Sequence, residues 1–366
     1  MNDFISILTD DAIVLLKELI AIPSYSKEED NTASALCLFF AKKGLPHFRI
    51  GNNVYAFNKN FDPGKSSILL NSHHDTVKPN KGYTLDPFTP VEKDGKLYGL
   101  GSNDAGGALV SLIAAFSYFY EKENLAHNII LAATAEEEIS GSGGIEMLLQ
   151  NKAFLSTVQD KGIDWAIVGE PTQMQMAVAE KGLLVLDCVA NGKAGHAARE
   201  EGDNAIYKAI KDIGWFNSYQ FPKVSNLLGP VKMSVTVIQT DNKAHNVVPS
   251  QCSFVVDIRV NELYTFEELL SIIHSNVSCE VKPRSLRMRS SSISVEHPAV
   301  QSGLQLGKTY YGSPTTSDKA LMPFPALKMG PGDSARSHTA DEFIFIDEIR
   351  SGIQLYIQLL ESVIIK

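Results

Sequence analysis

At Leu183-Leu184-Val185-Leu186-Asp187-Cys188-Val189-Ala190 the rhythm of the chain changes. The run reads as a strand, and what lies on either side of it differs in style. Downstream, the pattern predicts a helix over 203–216, strands over 232–239 and 253–260, a helix over 266–274 and a strand over 278–281. That β-α-β-β-α-β order is the signature of a ferredoxin-like unit of about a hundred residues. Upstream, a helix over 10–20 halts before Pro23, and short apolar strands at 68–71, 128–134 and 165–168 alternate with a long apolar helix over 105–120. Ser26 and Glu29 have capping-box spacing ahead of a helix through Leu36, Phe39 and Phe40, closed by Lys43 and Gly44. Alternating strands and helices predict an α/β layer with a mostly parallel sheet and flanking helices. Past residue 290 this style returns and ends in an amphipathic helix over 347–364. The expected organisation is one α/β domain over 1–180 and 288–366, interrupted by a smaller α+β domain over 181–287.

Composition narrows the function. A length of 366 residues suits about two domains, and 44% hydrophobic with 20% charged residues suits a sizeable core. Net charge is −9, which argues against a nucleic-acid partner, because phosphate neutralisation needs a basic face. An anionic small molecule stays open, since a local pocket can oppose the global sign. Cys37, Cys188, Cys252 and Cys279 form no CxxC pair, so neither a disulfide scaffold nor a cysteine zinc site is expected. The opening MNDFISILTDDAI lacks a basic n-region, and no apolar run approaches the roughly 18–20 residues of a membrane span. The expectation is a cytoplasmic protein with no membrane partner.

Several motifs carry possible chemistry. After the strand at 68–71, His73 and Asp75 stand two residues apart and point the same way. A carboxylate there can accept one imidazole N–H and leave the other nitrogen for a metal, although a polar loop explains the pair equally well. Gly99-Leu100-Gly101-Ser102-Asn103-Asp104 runs like a phosphate loop until Asp104, whose charge would repel phosphate and suits a cation. Gly64-Lys65-Ser66 lacks the earlier glycine of a P-loop. Glu136-Glu137-Glu138 follows one strand and Glu170 another, while His338 lies in a turn-rich segment. A solvated acidic loop is the plainer reading of the triplet taken alone. Together, carboxylates and histidines at the ends of several strands are how open α/β sheets build a site. Two histidines with three carboxylates suit zinc or a similar first-row ion, and two ions better than one.

In their order along the chain these segments resemble the M20 family of metal-dependent amidohydrolases, in particular its acetylornithine deacetylase and succinyl-diaminopimelate desuccinylase branch. The likeness rests on His73-x-Asp75, Asp86-Pro87-Phe88, Gly99-x-Gly101-x-x-Asp104, Glu137-Glu138, Glu170-Pro171-Thr172, Gly192-Lys193-x-x-His196, Asn246-Val247-Val248-Pro249 and Ser337-His338-Thr339. It implies that Asp104 bridges two divalent ions, zinc first with cobalt or manganese as alternatives. His73 and Glu170 would complete one coordination sphere, and Glu138 and His338 the other. Glu137 would be the general base, Asp75 would orient His73, and the Asp104–Ala105 peptide would be cis. The inserted domain would be the family's lid and dimerisation domain, with His196 the donor to the oxyanion. Three positions depart from the pattern: Glu136 stands where relatives usually carry Asp, Ser140 replaces a frequent glycine, and His74 sits between the HxD partners.

The branch further implies a small N-acyl amino acid as partner, such as N-acetylornithine or N-acetylcitrulline in arginine biosynthesis, and a homodimer through the lid. Arg259, Lys181, Asn246, Thr316 and Ser317 are candidate anchors for the substrate, Arg259 being suited to a bidentate carboxylate contact or equally to a surface role. The basic run Lys282, Arg284, Arg287 and Arg289 reads as a solvated strand or as a preference for a succinyl group. Alternatives are a family peptidase cutting dipeptides or tripeptides, a succinyl-diaminopimelate or acetyl-lysine type deacylase in lysine biosynthesis, and a non-catalytic binding module. A serine hydrolase is disfavoured because no GxSxG elbow is present.

Overall fold

The computed structural model of the chain describes residues 2–158, 161–199 and 201–365. The chain forms two compact units: Met1–Val178, Ser292–Tyr311 and Ser317–Lys366 make the larger, Ala179–Ser291 and Gly312–Thr316 the smaller. Nothing in the sequence pattern marked the short excursion at Gly312–Thr316.

The larger unit is built on a mixed sheet. Its strands run in the order Phe48–Ile50, Asn53–Phe57, Asn128–Thr134, Ser67–His73, Ile163–Val168, Ala326–Lys328 and Met176–Glu180. The four central strands from Asn128–Thr134 to Ala326–Lys328 are mutually parallel, and antiparallel partners close the two sides. Ile68, Leu69, Leu70, Ile129, Ile130 and Leu131 are fully buried, which explains why these strands read as apolar runs without alternation. Each such side chain contributes about 1.5–3 kcal/mol through burial. The helices Asn2–Ile20, Gly107–Phe119 and Ile346–Ile364 pack together on one side. Leu69, Ile130, Ala132, Ala166 and Val168 instead join Ile145, Leu148 and Phe154 in a second apolar cluster. A separate three-stranded antiparallel sheet joins Phe343–Phe345, Lys96–Tyr98 and Val91–Lys93.

Two local expectations are corrected. Ser26 and Glu29 make no capping box: the helix begins at Asp30 without a side-chain cap. Ser26 Oγ instead donates to Asp75 Oδ2 at 2.7 Å, and buried Glu29 accepts the N–H groups of Lys27 and Glu136 and the Asn52 amide. Tertiary donors outcompete the local box. The helix expected from residue 105 starts at Gly107, because Asp104 and Ala105 take non-helical dihedrals within the turn Ser102–Gly106.

The smaller unit is a four-stranded antiparallel sheet in the order Lys232–Thr240, Gln251–Val260, Gly182–Asn191, Glu280–Pro283. Burial alternates along Gly182–Asn191 and Gln251–Val260. Their inward residues, including Leu184, Leu186, Phe254, Val256 and Ile258, form one core with residues of the helices Ala205–Ser218 and Phe266–His274. This is the ferredoxin-like order expected from the sequence. The second helix opens on a capping box, Thr265 with Glu268.

Candidate active site

The parallel register gathers the site. His73 ends its strand opposite Thr134, and Asn71 lies opposite Val168, so the segments leaving these strands emerge side by side. His73 is 1% exposed. Its Nδ1 lies 3.0 Å from the Asp75 carbonyl and 3.3 Å from Asp75 Oδ1, which turns Nε2 toward Asp104 Oδ1 at 3.4 Å. Glu170 Oε1 is 3.9 Å and Glu137 Oε2 4.0 Å from the same nitrogen. Burial pulls the imidazole toward neutrality, but the carboxylates of Asp104 and Asp75 prevail and hold its pKa well above the usual value.

Asp75 does more than orient a ring. Its Oδ1 accepts the Glu137 N–H at 3.1 Å, and its Oδ2 accepts the Glu138 N–H at 3.2 Å. One carboxylate therefore ties the histidine to the tight turn Glu137–Ile139. That turn is bracketed by Glu136 at φ +55° and Ser140 at φ +50°, the left-handed region that glycine adopts without strain. His74 points elsewhere: Nδ1 is 2.9 Å from Thr32 Oγ1, Nε2 is 2.9 Å from the Asn52 carbonyl, and burial lowers its pKa.

Two trios of ligand-type atoms result, His73 with Asp104 and Glu170, and Asp104 with Glu138 and His338. Within each trio the atoms lie within 4.8 Å of one another. Asp104 belongs to both, presenting Oδ1 toward His73 and Oδ2 toward His338 Nε2 at 3.7 Å. The His338 ring also meets Glu138 Oε2 at 3.1 Å, and that contact lifts its pKa to about 9. Its side chain is 55% exposed, so within this unit one trio is enclosed and the other opens outward. The Asp104–Ala105 peptide is cis.

The donor set fits two divalent cations. Four carboxylates, of Asp104, Glu137, Glu138 and Glu170, crowd around two imidazoles, and the mixture of nitrogen and oxygen donors suits zinc-like ions. Glu137 lies in neither trio. Burial raises its pKa well above the usual range, and the charges of Glu170 and Asp318 push the same way against His73.

Two acidic residues escaped the sequence reading. Asp318 is buried and accepts from Asn71 Nδ2 at 3.0 Å and Thr134 Oγ1 at 2.9 Å, and burial raises it to about 6. Glu342 is buried beside Asp104, and burial with the Asp104 charge raises it to about 7. Its only sequence signal was a carboxylate directly before a strand of alternating aromatics, Phe343 and Phe345.

In the smaller unit, Gly195–His196 pairs with Val247–Val248, and the Ala197 N–H donates to the Asn246 carbonyl at 2.9 Å, so His196 and Asn246 are neighbours. Thr316 Oγ1 donates to the Lys181 carbonyl at 2.9 Å. Burial lowers the Lys181 pKa, and the nearby charges of Lys232 and Arg259 add to the effect. Arg259 itself is held by Asp257 through two contacts of 2.8 and 3.1 Å. Ser317 belongs to the larger unit, where it is buried. In the basic run, Arg284 is paired with Asp187 and Arg289 with Glu267, so acidic neighbours satisfy both.

The chain is similar in sequence and fold to known proteins. A succinyl-diaminopimelate desuccinylase of Wolbachia pipientis subsp. Culex pipiens (strain wPip) is 25% identical across 96% of this chain and 93% of its own. An acetylornithine deacetylase of Proteus mirabilis (strain HI4320) is 29% identical across 96% of both. The crystal structure of aminopeptidase PepT from Bacillus cereus ATCC 10987 shares the fold at a TM-score of 0.75, with 18% identity over 97% of this chain and 98% of that one. The profile of "Peptidase family M20/M25/M40" matches residues 69–362. With that match over most of its length, the chain belongs to peptidase family M20/M25/M40, whose members are metal-dependent amidohydrolases and peptidases.

Proposed function

We propose that the protein removes an acetyl or succinyl group from the amide nitrogen of an N-acyl amino acid that bears a free carboxylate. The observation that carries this reading is the arrangement of two ligand trios sharing Asp104, with the Glu137 carboxyl 4.0 Å from His73 and in neither trio. The full-length similarity to a desuccinylase and a deacetylase supports the substrate class. N-acetylornithine or N-acetylcitrulline, in arginine biosynthesis, is the substrate we favour.

Two divalent ions, zinc by the donor chemistry, would be held by His73, Asp104 and Glu170 and by Asp104, Glu138 and His338, and would supply Lewis acidity to the attacking water and the amide carbonyl. Glu137 takes the proton of that water on its carboxylate as the oxygen attacks the carbonyl carbon. It returns the proton to the amide nitrogen as the C–N bond breaks. Its place outside both trios, with Oε2 4.0 Å from His73 Nε2, keeps that carboxylate available for the transfer. Asp75 keeps base and ligand in register by accepting from the backbone of Glu137 and Glu138 while facing His73.

His196 is the proposed donor to the developing oxyanion, and Arg259, Lys181, Asn246, Thr316 and Ser317 the proposed substrate contacts. The support for His196 is its motif, Gly192-Lys193-x-x-His196. For Lys181 and Arg259 the support is the positive charge they gather with Lys232. We also propose a homodimer through the smaller unit.

The test is a comparison of kcat/KM across N-acetylornithine, N-acetylcitrulline, N-acetyl-lysine, N-succinyl-diaminopimelate and a set of dipeptides and tripeptides. A preference of at least about tenfold for an acyl-amino acid is the expected result, a difference of roughly 1.4 kcal/mol in transition-state stabilisation. A best substrate among the peptides overturns it.

A further inference from the structure

Glu342 belongs to neither trio, yet the turn that carries Asp104 hangs from its carboxylate. Oε1 accepts the N–H groups of Asn103 at 2.8 Å and Asp104 at 2.9 Å, and Oε2 accepts that of Gly101 at 3.2 Å. The Glu342 carbonyl accepts a fourth, from Gly99, at 3.0 Å. These donors need an outside partner. Gly101 sits at φ +76°, and Asp104 leaves helical dihedrals at φ −118° and ψ 97°. A buried N–H without an acceptor is costly, so a side chain that supplies acceptors decides which backbone conformation this turn keeps.

We infer that Glu342 is a positioning residue that sets the Asp104 carboxylate where both ligand trios can use it. The inference rests on the reading of Asp104 as the shared ligand. Three features favour Glu342 in this role. It offers two acceptor oxygens to three converging N–H groups, whereas a glutamine in the same place offers one oxygen and turns an NH2 group toward a donor. Its backbone is fixed independently, because the next residue, Phe343, enters a strand paired with Lys96–Tyr98. The same turn is also tied to the His338 segment. Asn103 Nδ2 donates to the Asp333 carbonyl at 3.0 Å, and Asn103 Oδ1 accepts the Asp333 N–H at 2.9 Å. The approach there is close: a Cβ on Gly332, at φ +93°, would lie 2.6 Å from Asn103 Oδ1. Glu342 and Asn103 thus hold Asp104 from two directions, one setting its backbone and the other its spacing from His338.

The experiment uses the full chain, stripped of metal and titrated with zinc against a chromophoric chelator, in wild type, Glu342→Gln, Glu342→Asp and Asp104→Asn. Each is also loaded with cobalt for its visible spectrum, and the thermal midpoint of each metal-free protein is recorded. Glu342→Gln is expected to weaken both zinc sites by about 10–100-fold and to alter the cobalt bands. Glu342→Asp keeps the charge with a shorter reach and is expected to recover part of the affinity. A lower thermal midpoint with wild-type zinc affinity and an unchanged cobalt spectrum would mean a purely structural role and overturns the inference. If Glu342→Gln does not fold, Glu342→Asp decides in its place: reduced affinity supports the inference, and wild-type affinity overturns it. Asp104→Asn separates the two levels. If it still binds two zinc ions as tightly as wild type, the shared-ligand reading fails; if it loses them while Glu342→Gln does not, only the role of Glu342 fails.

Discussion

Glu137 and Glu138 are consecutive, and the tight turn they share gives them different surroundings. Glu138 reaches His338 at 3.1 Å, whereas Glu137 is turned toward His73, with Oε2 4.0 Å from its Nε2. A ligand and a base should therefore separate on mutation. Glu137→Ala is expected to bind two ions as wild type does while kcat falls by about 10²–10⁴. Metal analysis beside single-turnover rates checks this. Loss of an ion, with turnover restored by added metal, would make Glu137 a ligand instead. The HxD pair was legible in the sequence because period-two spacing fixes its direction. The same motif named His73 rather than His74 as the residue facing the cluster; what was not legible is what holds His74 away, Thr32 and the Asn52 carbonyl, both remote in sequence.

At the scale of elements, the basic run near the end of the smaller unit illustrates why charge counts mislead. Arg284 lies against Asp187 on the neighbouring strand, and Arg289 against Glu267 on the helix Phe266–His274. The Arg289 guanidinium, assisted by local backbone bonding, holds the exposed Glu267 carboxyl down at about 2. Arg289→Ala should return it toward the ordinary glutamate value of about 4.3, read as a higher midpoint in a carboxyl NMR titration. The sign for stability follows. A carboxyl held low in the folded state favours folding above its unfolded pKa, and that contribution disappears as pH falls from about 4.3 toward 2. An unchanged midpoint would show that the pair does not persist in solution. Periodicity located the helix itself, and in the structure a capping box of Thr265 with Glu268, satisfied within four residues, opens it. The box expected at Ser26 and Glu29 failed because both side chains serve residues far along the chain.

For the whole molecule, the proposed dimer makes the largest claim. Lys232–Thr240 is an edge strand of the smaller unit's sheet, with Val237 and Ile238 exposed, and Tyr207 and Ile210 are exposed on the neighbouring helix. An edge with unpaired backbone groups and apolar side chains favours pairing with a second copy across a two-fold axis. If His196 then serves the partner's site, two inactive variants should complement each other. Glu137→Ala and His196→Ala, mixed under conditions of proven subunit exchange, would form about half mixed dimers with one whole site each, and roughly a quarter of sites should recover. No recovery after demonstrated exchange means that His196 acts within its own chain or not at all. Among the described residues no helix is long and apolar enough to cross a membrane.

Read without coordinates, the chain itself determined its fold class, the change of style after residue 180 and the family resemblance. Those rest on local physics: apolar runs in doubly covered parallel strands, alternation in the antiparallel sheet, and short motifs at strand ends. The resemblance implied which motifs combine; the tertiary structure decided how they are brought together and by which further residues they are held. Parallel register brings His73, Glu137 and Glu170 to one end of a sheet although they are widely spaced in sequence. The tertiary fold also sets Asp75 against the backbone of the Glu137–Ile139 turn, Asp318 against Asn71 and Thr134, and Glu342 against the Asp104 N–H from 238 positions away. A carboxylate that accepts backbone N–H groups leaves no periodic trace in sequence, because its partners are main-chain atoms common to every residue.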